Sequence, residues 1–166
     1  KASWVIHMLR HKVEKNTFFE ILKSYASNDS LAYNAASTAD FQKISEDISG
    51  QNLEIFFQQW IYEEGYPKYE ISWWHEGNTN YKVKVDQVQQ GGLFSMPIDL
   101  NFSGSFGPLL IDTTIVVENN SLSHLYEISG LNFIVESVTL DPNNWILKEV
   151  SYSTNEVDHL IPKTVT

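Results

Sequence analysis

The sequence contains no cysteine. That removes disulfide frameworks, cysteine-ligated zinc and thiol catalysis together, and it leaves cytoplasmic and exported locations equally open. Positive charge is scarce: 11 Lys and Arg stand against 21 Asp and Glu, a formal net charge of -10. Phosphate backbones are held by clustered Lys and Arg, so no nucleic-acid partner is expected. Long apolar runs are missing as well. Nothing approaches the ~20 residues that span a bilayer, so no transmembrane segment is expected. The opening stretch, KASWVIHMLRH, has neither the apolar centre nor the cleavage site of a signal peptide, and no initiator Met precedes it. A chain that opens inside a helical pattern is expected to be part of something longer.

What is present is globular. The 166 residues are 42% hydrophobic and 13% aromatic, enough for one domain or two small ones with real cores. The pattern changes once, across residues 53–67, LEIFFQQWIYEEGYP. Leu53, Phe56, Phe57, Trp60 and Ile61 fall on one helical stripe. Gly65 is expected to supply a left-handed C-cap, and Pro67 stands where a helix cannot continue. Everything before this stretch reads as helix and everything after it alternates with period two. Trp60, Gly65, Tyr66 and Pro67 therefore mark the junction.

Upstream, Trp4, Val5, Met8 and Leu9 form the inward stripe of a surface helix. A second helix is expected from about Asn16 or Thr17, with Thr17 and Glu20 spaced as a capping box. It carries Phe18, Phe19, Ile21, Leu22 and Tyr25. Residues 26–36 read as a loop. Ser37 then caps a third helix with Asp40 at N3; it runs through Phe41, Ile44 and Ile48 and closes at Ser49-Gly50. Four short helices bury little by themselves. Adjacent Phe18 and Phe19 cannot both face one thin core, so one is expected to point at protein outside the chain. Trp4, Phe18, Phe19 and Trp60 together are expected to leave apolar surface uncovered.

Downstream, Tyr69, Ile71 and Trp73 share a face, and Tyr81, Val83 and Val85 alternate with polar residues. Gly77-Asn78 reads as a turn between them, and Gly91-Gly92 as a break. Ile98, Leu100 and Phe102 form a third strand, with Pro97 suited to an edge or a strand start. Residues 103–108 read as a Gly/Ser loop. Strands follow at 110–117, 125–128, 134–140 and 145–150, with Asn119-Asn120 as a turn. The fold class is α+β: a short α-helical segment, residues 1–66, then an antiparallel immunoglobulin-like β-sandwich, residues 67–152, and a tail, 153–166.

Few residues suggest chemistry. His7 and His11 have the i, i+4 spacing of a zinc pair, with Glu14 as a conceivable third ligand. But Met8 occupies the place of the catalytic Glu, and Met8 and Leu9 belong to the buried stripe. A solvent-facing or interface histidine pair is the expectation. Trp73-Trp74 could form a carbohydrate platform, except that neighbours in a strand point to opposite faces. Glu63-Glu64 at a helix C-terminus opposes the macrodipole and hints at a positive partner. Asp141-Pro142-Asn143-Asn144 lacks the spaced carboxylates of a calcium loop and reads as a turn. Asn28, Asn101 and Asn119 open glycosylation-type triplets, relevant only to a secreted eukaryotic protein. Ser-His-Asp, phosphate-loop and dinucleotide patterns are absent.

An ordered set of segments resembles the zinc aminopeptidases of the M1 family. A Phe-Phe-x-x-Trp helix (Phe56 to Trp60) runs into Gly65-Tyr66-Pro67 and a strand. KASWVIHMLR looks like the segment after that family's catalytic tyrosine, with Lys1 and the run from Val5 to Arg10 matching and Ala2 standing where Gly is usual. Val83 to Gln87, Phe94 to Pro97 and Asp141 to Trp145 look like its sandwich domain. The resemblance covers residues 1–150. It implies the C-terminal part of such an enzyme, with the tyrosine two residues before Lys1 and the zinc ligands and catalytic Glu further upstream. No catalytic or metal-binding residue is expected in this chain. Zinc, the peptide substrate and the rest of the catalytic domain are implied only for the longer protein. A stand-alone sandwich binding carbohydrate or protein is the competing expectation.

Overall fold

A computed structural model describes residues 1–31, 34–76 and 80–153. The turn expected at Gly77-Asn78 and all of the tail but Ser153 lie outside the described residues. Within them the chain is α+β and divides into two compact units. Among the described residues, one comprises Lys1–Gly65 with Trp145–Leu147; the other comprises Tyr66–Asn144 and 148–153.

The helical unit holds α1 (Ala2–Lys12), α2 (Lys15–Ala26), α3 (Thr38–Ser49) and α4 (Glu54–Phe57). In α1 the buried residues are Val5, Met8 and Leu9, while Trp4 is half-buried. α2 starts earlier than the sequence suggested, and without the expected box. Its N-cap is Glu14, with no side-chain cap, and Thr17 lies inside the first turn. Glu14 has φ 67° and ψ 154°, backbone almost confined to glycine, so α1 meets α2 through a strained corner. α3 has the box that was expected: the Ser37 hydroxyl accepts from the Asp40 N–H, and the Asp40 side chain accepts from the Ser37 N–H. Gly50 closes it. Aromatic edges tie the helices together, Tyr25 to Phe41 at 5.1 Å and Phe41 to Phe57 at 6.2 Å.

The last helix is not one α-helix. After α4 the chain widens into a π turn, Gln58–Tyr62, and the Glu63 N–H donates to the Gln58 carbonyl at 3.0 Å. Leu53, Phe56, Phe57 and Trp60 are buried as the stripe requires, but Ile61 turns outward. The helical segment ends at Tyr62 with Glu63 already extended. Gly65, at φ 89°, therefore shapes the connecting chain instead of capping the helix.

The second unit contains two sheets. β1 (Lys68–His75), β2 (Tyr81–Gln87), β5 (Ser123–Ile128) and β7 (Glu149–Tyr152) form one, in the order β5-β2-β1-β7. β3 (Met96–Phe106), β4 (Leu109–Asn119) and β6 (Ile134–Leu140) form the other, in the order β4-β3-β6. Pairing is antiparallel except between β1 and β7, which run parallel; the expected all-antiparallel arrangement is corrected there. The expected strand at 145–150 is also corrected: Trp145–Leu147 belongs to the helical unit, and β7 starts at Glu149.

Ser103-Gly104-Ser105 does not form a loop. β3 runs through it to Phe106 and turns into β4 within two residues. The reason is close packing: a Cβ on Gly104 would lie 1.9 Å from the Ile134 carbonyl oxygen, at the register shift between β3 and β6. Pro97 sits in the central strand, yet β6 pairs with β3 only from Leu100 onward. At Pro97 one side of β3 is free of that ladder, which is where a residue without N–H fits.

Ile71, Val83 and Val85 of the first sheet and Ile98, Leu100, Phe102 and Val138 of the second are buried. Polar bonds join the sheets. The Tyr81 hydroxyl donates to the Phe133 carbonyl at 3.3 Å and accepts from the Val135 N–H at 3.1 Å. The Gln87 amide donates to the Phe94 carbonyl at 2.7 Å and to Asn119 Oδ1 at 2.6 Å, and its oxygen accepts from the Phe94 N–H. Asn119 continues to the Tyr126 hydroxyl, which donates to the Glu118 carbonyl. A buried network satisfied at each step holds one pairing of strands against alternatives.

Candidate functional site

The helical unit has an open cavity of about 450 Å³ beside the start of α1. Val5, Ile6, Tyr25, Phe41, Trp60 and Ile61 make an apolar wall, and Ser37 and Thr38 contribute the polar part. Lys1 and Ala2 lie at its rim. The Lys1 ammonium donates to the Glu63 carbonyl at 2.9 Å. That bond reaches the backbone just beyond the helix end, not the Glu63 or Glu64 carboxylate. The Val5 N–H donates to the Lys1 carbonyl at 3.1 Å, so the entry into α1 is held by side chain and backbone together.

On α1, His7 and His11 are brought together by a residue that spacing did not connect to them. Both imidazoles stack on the Trp145 indole, at centroid distances of 4.7 and 5.0 Å and interplanar angles of 18° and 9°. Trp4 meets His7 edge-on at 5.8 Å, and the Arg10 guanidinium lies 5.9 Å from the Trp145 ring and 5.6 Å from Phe19. Arg10 over two aromatic rings is a cation–π arrangement. Glu14 occupies the N-cap position of α2 without a side-chain cap bond. Among the described residues no group of three His, Asp or Glu side chains could hold a metal ion.

The expected surplus of apolar side chains is smaller than four. Phe18 and Trp60 are buried, Trp4 is half-buried, and Phe19 is 51% exposed under Arg10. Phe18 faces inward and Phe19 outward, the division that their adjacency required. Ile55 and Tyr62 are exposed in the same unit.

In the sheet unit, the four residues from Asp141 form the expected turn, with the Asn144 N–H donating to the Asp141 carbonyl. The sequence did not reveal its partner. The Lys148 ammonium contacts the Asp141 carboxylate at 2.6 Å, with the Asp141 carbonyl and Asn144 Oδ1 each at 3.4 Å. The two charged side chains are 1% and 8% exposed. At the junction, the Tyr66 hydroxyl donates to Glu149, Lys68 pairs with Glu149 at 2.8 Å, and the buried Pro67 presents its carbonyl to the Glu149 N–H. The bonds from Lys68 and Tyr66 hold the Glu149 carboxyl below its ordinary range, and the same carboxylate raises Tyr66.

Trp73 and Trp74 are both half-buried. Trp73 leans on Tyr81 at 6.4 Å, and strand alternation sends Trp74 to the other face. Asn119, fully buried in its hydrogen-bond network, is no glycan acceptor.

The fold is of a class seen in part of an aminopeptidase. A crystal structure of Legionella pneumophila aminopeptidase A in complex with aspartic acid is similar at a TM-score of 0.75 and 18% identity, covering 92% of this chain and 17% of that one. Transcription initiation factor TFIID subunit 2 of Schizosaccharomyces pombe is 31% identical over 98 residues, 54% of this chain and 8% of that protein. The chain thus spans a small part of either protein. No family model matches. No helix among the described residues is long and apolar enough to cross a membrane.

Proposed function

We propose that the chain is the C-terminal part of an M1-type zinc aminopeptidase, comprising the last helices of its catalytic domain and an immunoglobulin-like β-sandwich. The observation that carries this reading is the fold likeness to an aminopeptidase over 92% of the chain. The ordered motifs support it, because each does something physical in the fold. Gln87 ties Phe94 to Asn119, Asp141 pairs with Lys148, and Trp145 stacks on α1. The whole protein would remove N-terminal residues from peptides.

Among the described residues no group of His, Asp or Glu could hold zinc, and in this reading the chemistry belongs to the longer protein. Zinc ligands, catalytic Glu and Tyr would all precede Lys1. The role of this chain is to scaffold. A tyrosine two residues before Lys1 would emerge at a helix start held by the Lys1–Glu63 bond and by the burial of Val5, Met8 and Leu9. The 31% identity to a TFIID subunit favours a second reading, a non-catalytic scaffold within a larger assembly. A carbohydrate-binding sandwich needs an aromatic platform, which Trp73 and Trp74 on opposite faces do not make.

Extending the chain upstream to the next full domain tests this. The extended protein should bind stoichiometric zinc and hydrolyse a chromogenic aminoacyl substrate, while residues 1–166 alone do neither. An extension without zinc and without turnover, yet stably folded, would favour the second reading.

A further inference from the structure

The edge strand β4 is the feature that neither scaffolding nor the proposed activity uses. It is 11 residues long, pairs with β3 without a register shift, and among the described residues pairs with no other strand. Edges invite another chain, and proteins guard them with Lys, Pro, bulges or brevity. β7 has four residues, β5 has six, and β6 meets its neighbour through a register shift. β4 has none of these defences and contains no Lys or Pro.

Both of its faces are under-covered. Ile111, Ile115 and Val117 share the inner side with buried Leu100 and Ile98, yet remain half-exposed. On the outer side, Leu110 is 88% and Val116 58% exposed. A strand laid against β4 would continue both faces and cover them.

Charge selects the occupant. From Asp86 to Leu147 the sequence contains no Lys or Arg, while Asp99, Asp112, Glu118 and Glu136 all lie in this one sheet. Asp112 and Glu118 are exposed on the outer side of β4, six positions apart. A second copy docked antiparallel about Ile115 would oppose Asp112 to Glu118 twice, and like charges facing across strands repel.

We propose that β4 is a docking edge for an extended basic segment of a partner polypeptide. The segment adds a strand by main-chain pairing. It carries Lys or Arg six positions apart, opposite Asp112 and Glu118, and between them β-branched apolar residues at the three positions opposite Thr113, Ile115 and Val117. Its basic residues supply the counter-charge that the sheet lacks.

The test uses the whole 166-residue chain and a labelled probe peptide, Lys-Val-Thr-Val-Thr-Val-Lys, followed by fluorescence anisotropy. Binding should weaken about tenfold or more on replacing both lysines by Glu in the probe, and likewise in the D112N/E118Q chain. Val116→Lys, an exposed change that should leave the fold intact, should weaken it similarly by guarding the edge. N-methylation of alternate probe residues should abolish binding on the register that faces β4, since it removes the donors of the added ladder. Binding indifferent to N-methylation would be unspecific charge attraction and overturns the proposal. So would absence of binding, or self-association of the chain that Val116→Lys abolishes, which would make a second copy the occupant.

Discussion

Replacing Lys148 by Met removes the cation from the buried Asp141 carboxylate. The pair lies 2.6 Å apart with side chains 1% and 8% exposed. At an effective dielectric of ~20 the gross attraction at that separation is about 6 kcal/mol, and desolvating the two ions opposes it by several kcal/mol each. The intact pair is therefore close to neutral for stability, whereas half of it is not. Lys148→Met should cost roughly 3–5 kcal/mol, because it leaves a buried charge and removes the cation that gathers three oxygens around the turn. Asp141→Asn is the fitting second arm, since Asn tolerates the left-handed backbone found there, φ 48°. The double variant D141N/K148M should recover at least about 2 kcal/mol relative to the sum of the single variants. Urea unfolding followed by circular dichroism, with m unchanged, provides the comparison. A Lys148→Met loss below about 1 kcal/mol, or strict additivity in the cycle, would refute the idea that the pair is coupled and desolvated.

Gly104→Ala should destabilise the sheet unit by about 1–3 kcal/mol or more in the same assay, because its Cβ meets the backbone of Ile134 rather than a movable side chain. Gly65→Val should cost about 1 kcal/mol or more, since φ 89° is hostile to a β-branched residue even though Gly65 lies beyond the helix end; equal urea midpoints would contradict this. Tyr69→Phe should be neutral or stabilise by up to about 1 kcal/mol: the Tyr69 hydroxyl is buried with no partner among the described residues, and burial pushes its pKa up. Asp40 is held below the ordinary carboxyl range by the Ser37 hydroxyl and N–H. What it contributes is thus present above its unfolded pKa, about 4, and is lost as pH falls through the folded value. A carboxyl NMR titration should show the depressed value, and Ser37→Ala should lessen the depression by removing the hydroxyl donor while the backbone N–H remains.

Local rules made part of this protein legible in advance. α3 was readable because its capping box needs only Ser37 and Asp40, three residues apart. β6 was readable because a short run of apolar and β-branched residues between turn signals needs no distant partner to be recognised. The division of Phe18 from Phe19 followed from helix geometry alone. What spacing could not supply depends on neighbours far along the chain. Gly104 stays in a strand because Ile134, thirty positions later, packs against it. The parallel pairing of β7 with β1 and the departure of Trp145 from a strand are settled by contacts across more than seventy residues. Residues 58–62 widen into a π turn that keeps Trp60 buried while Ile61 faces outward, which a uniform helical period does not describe. Periodicity reports which face of an element is apolar; only the tertiary structure decides which residue, among many apolar and charged candidates, stands opposite it. The His7–Trp145–His11 stack and the Asp141–Lys148 pair are choices of that second kind, made by packing and desolvation.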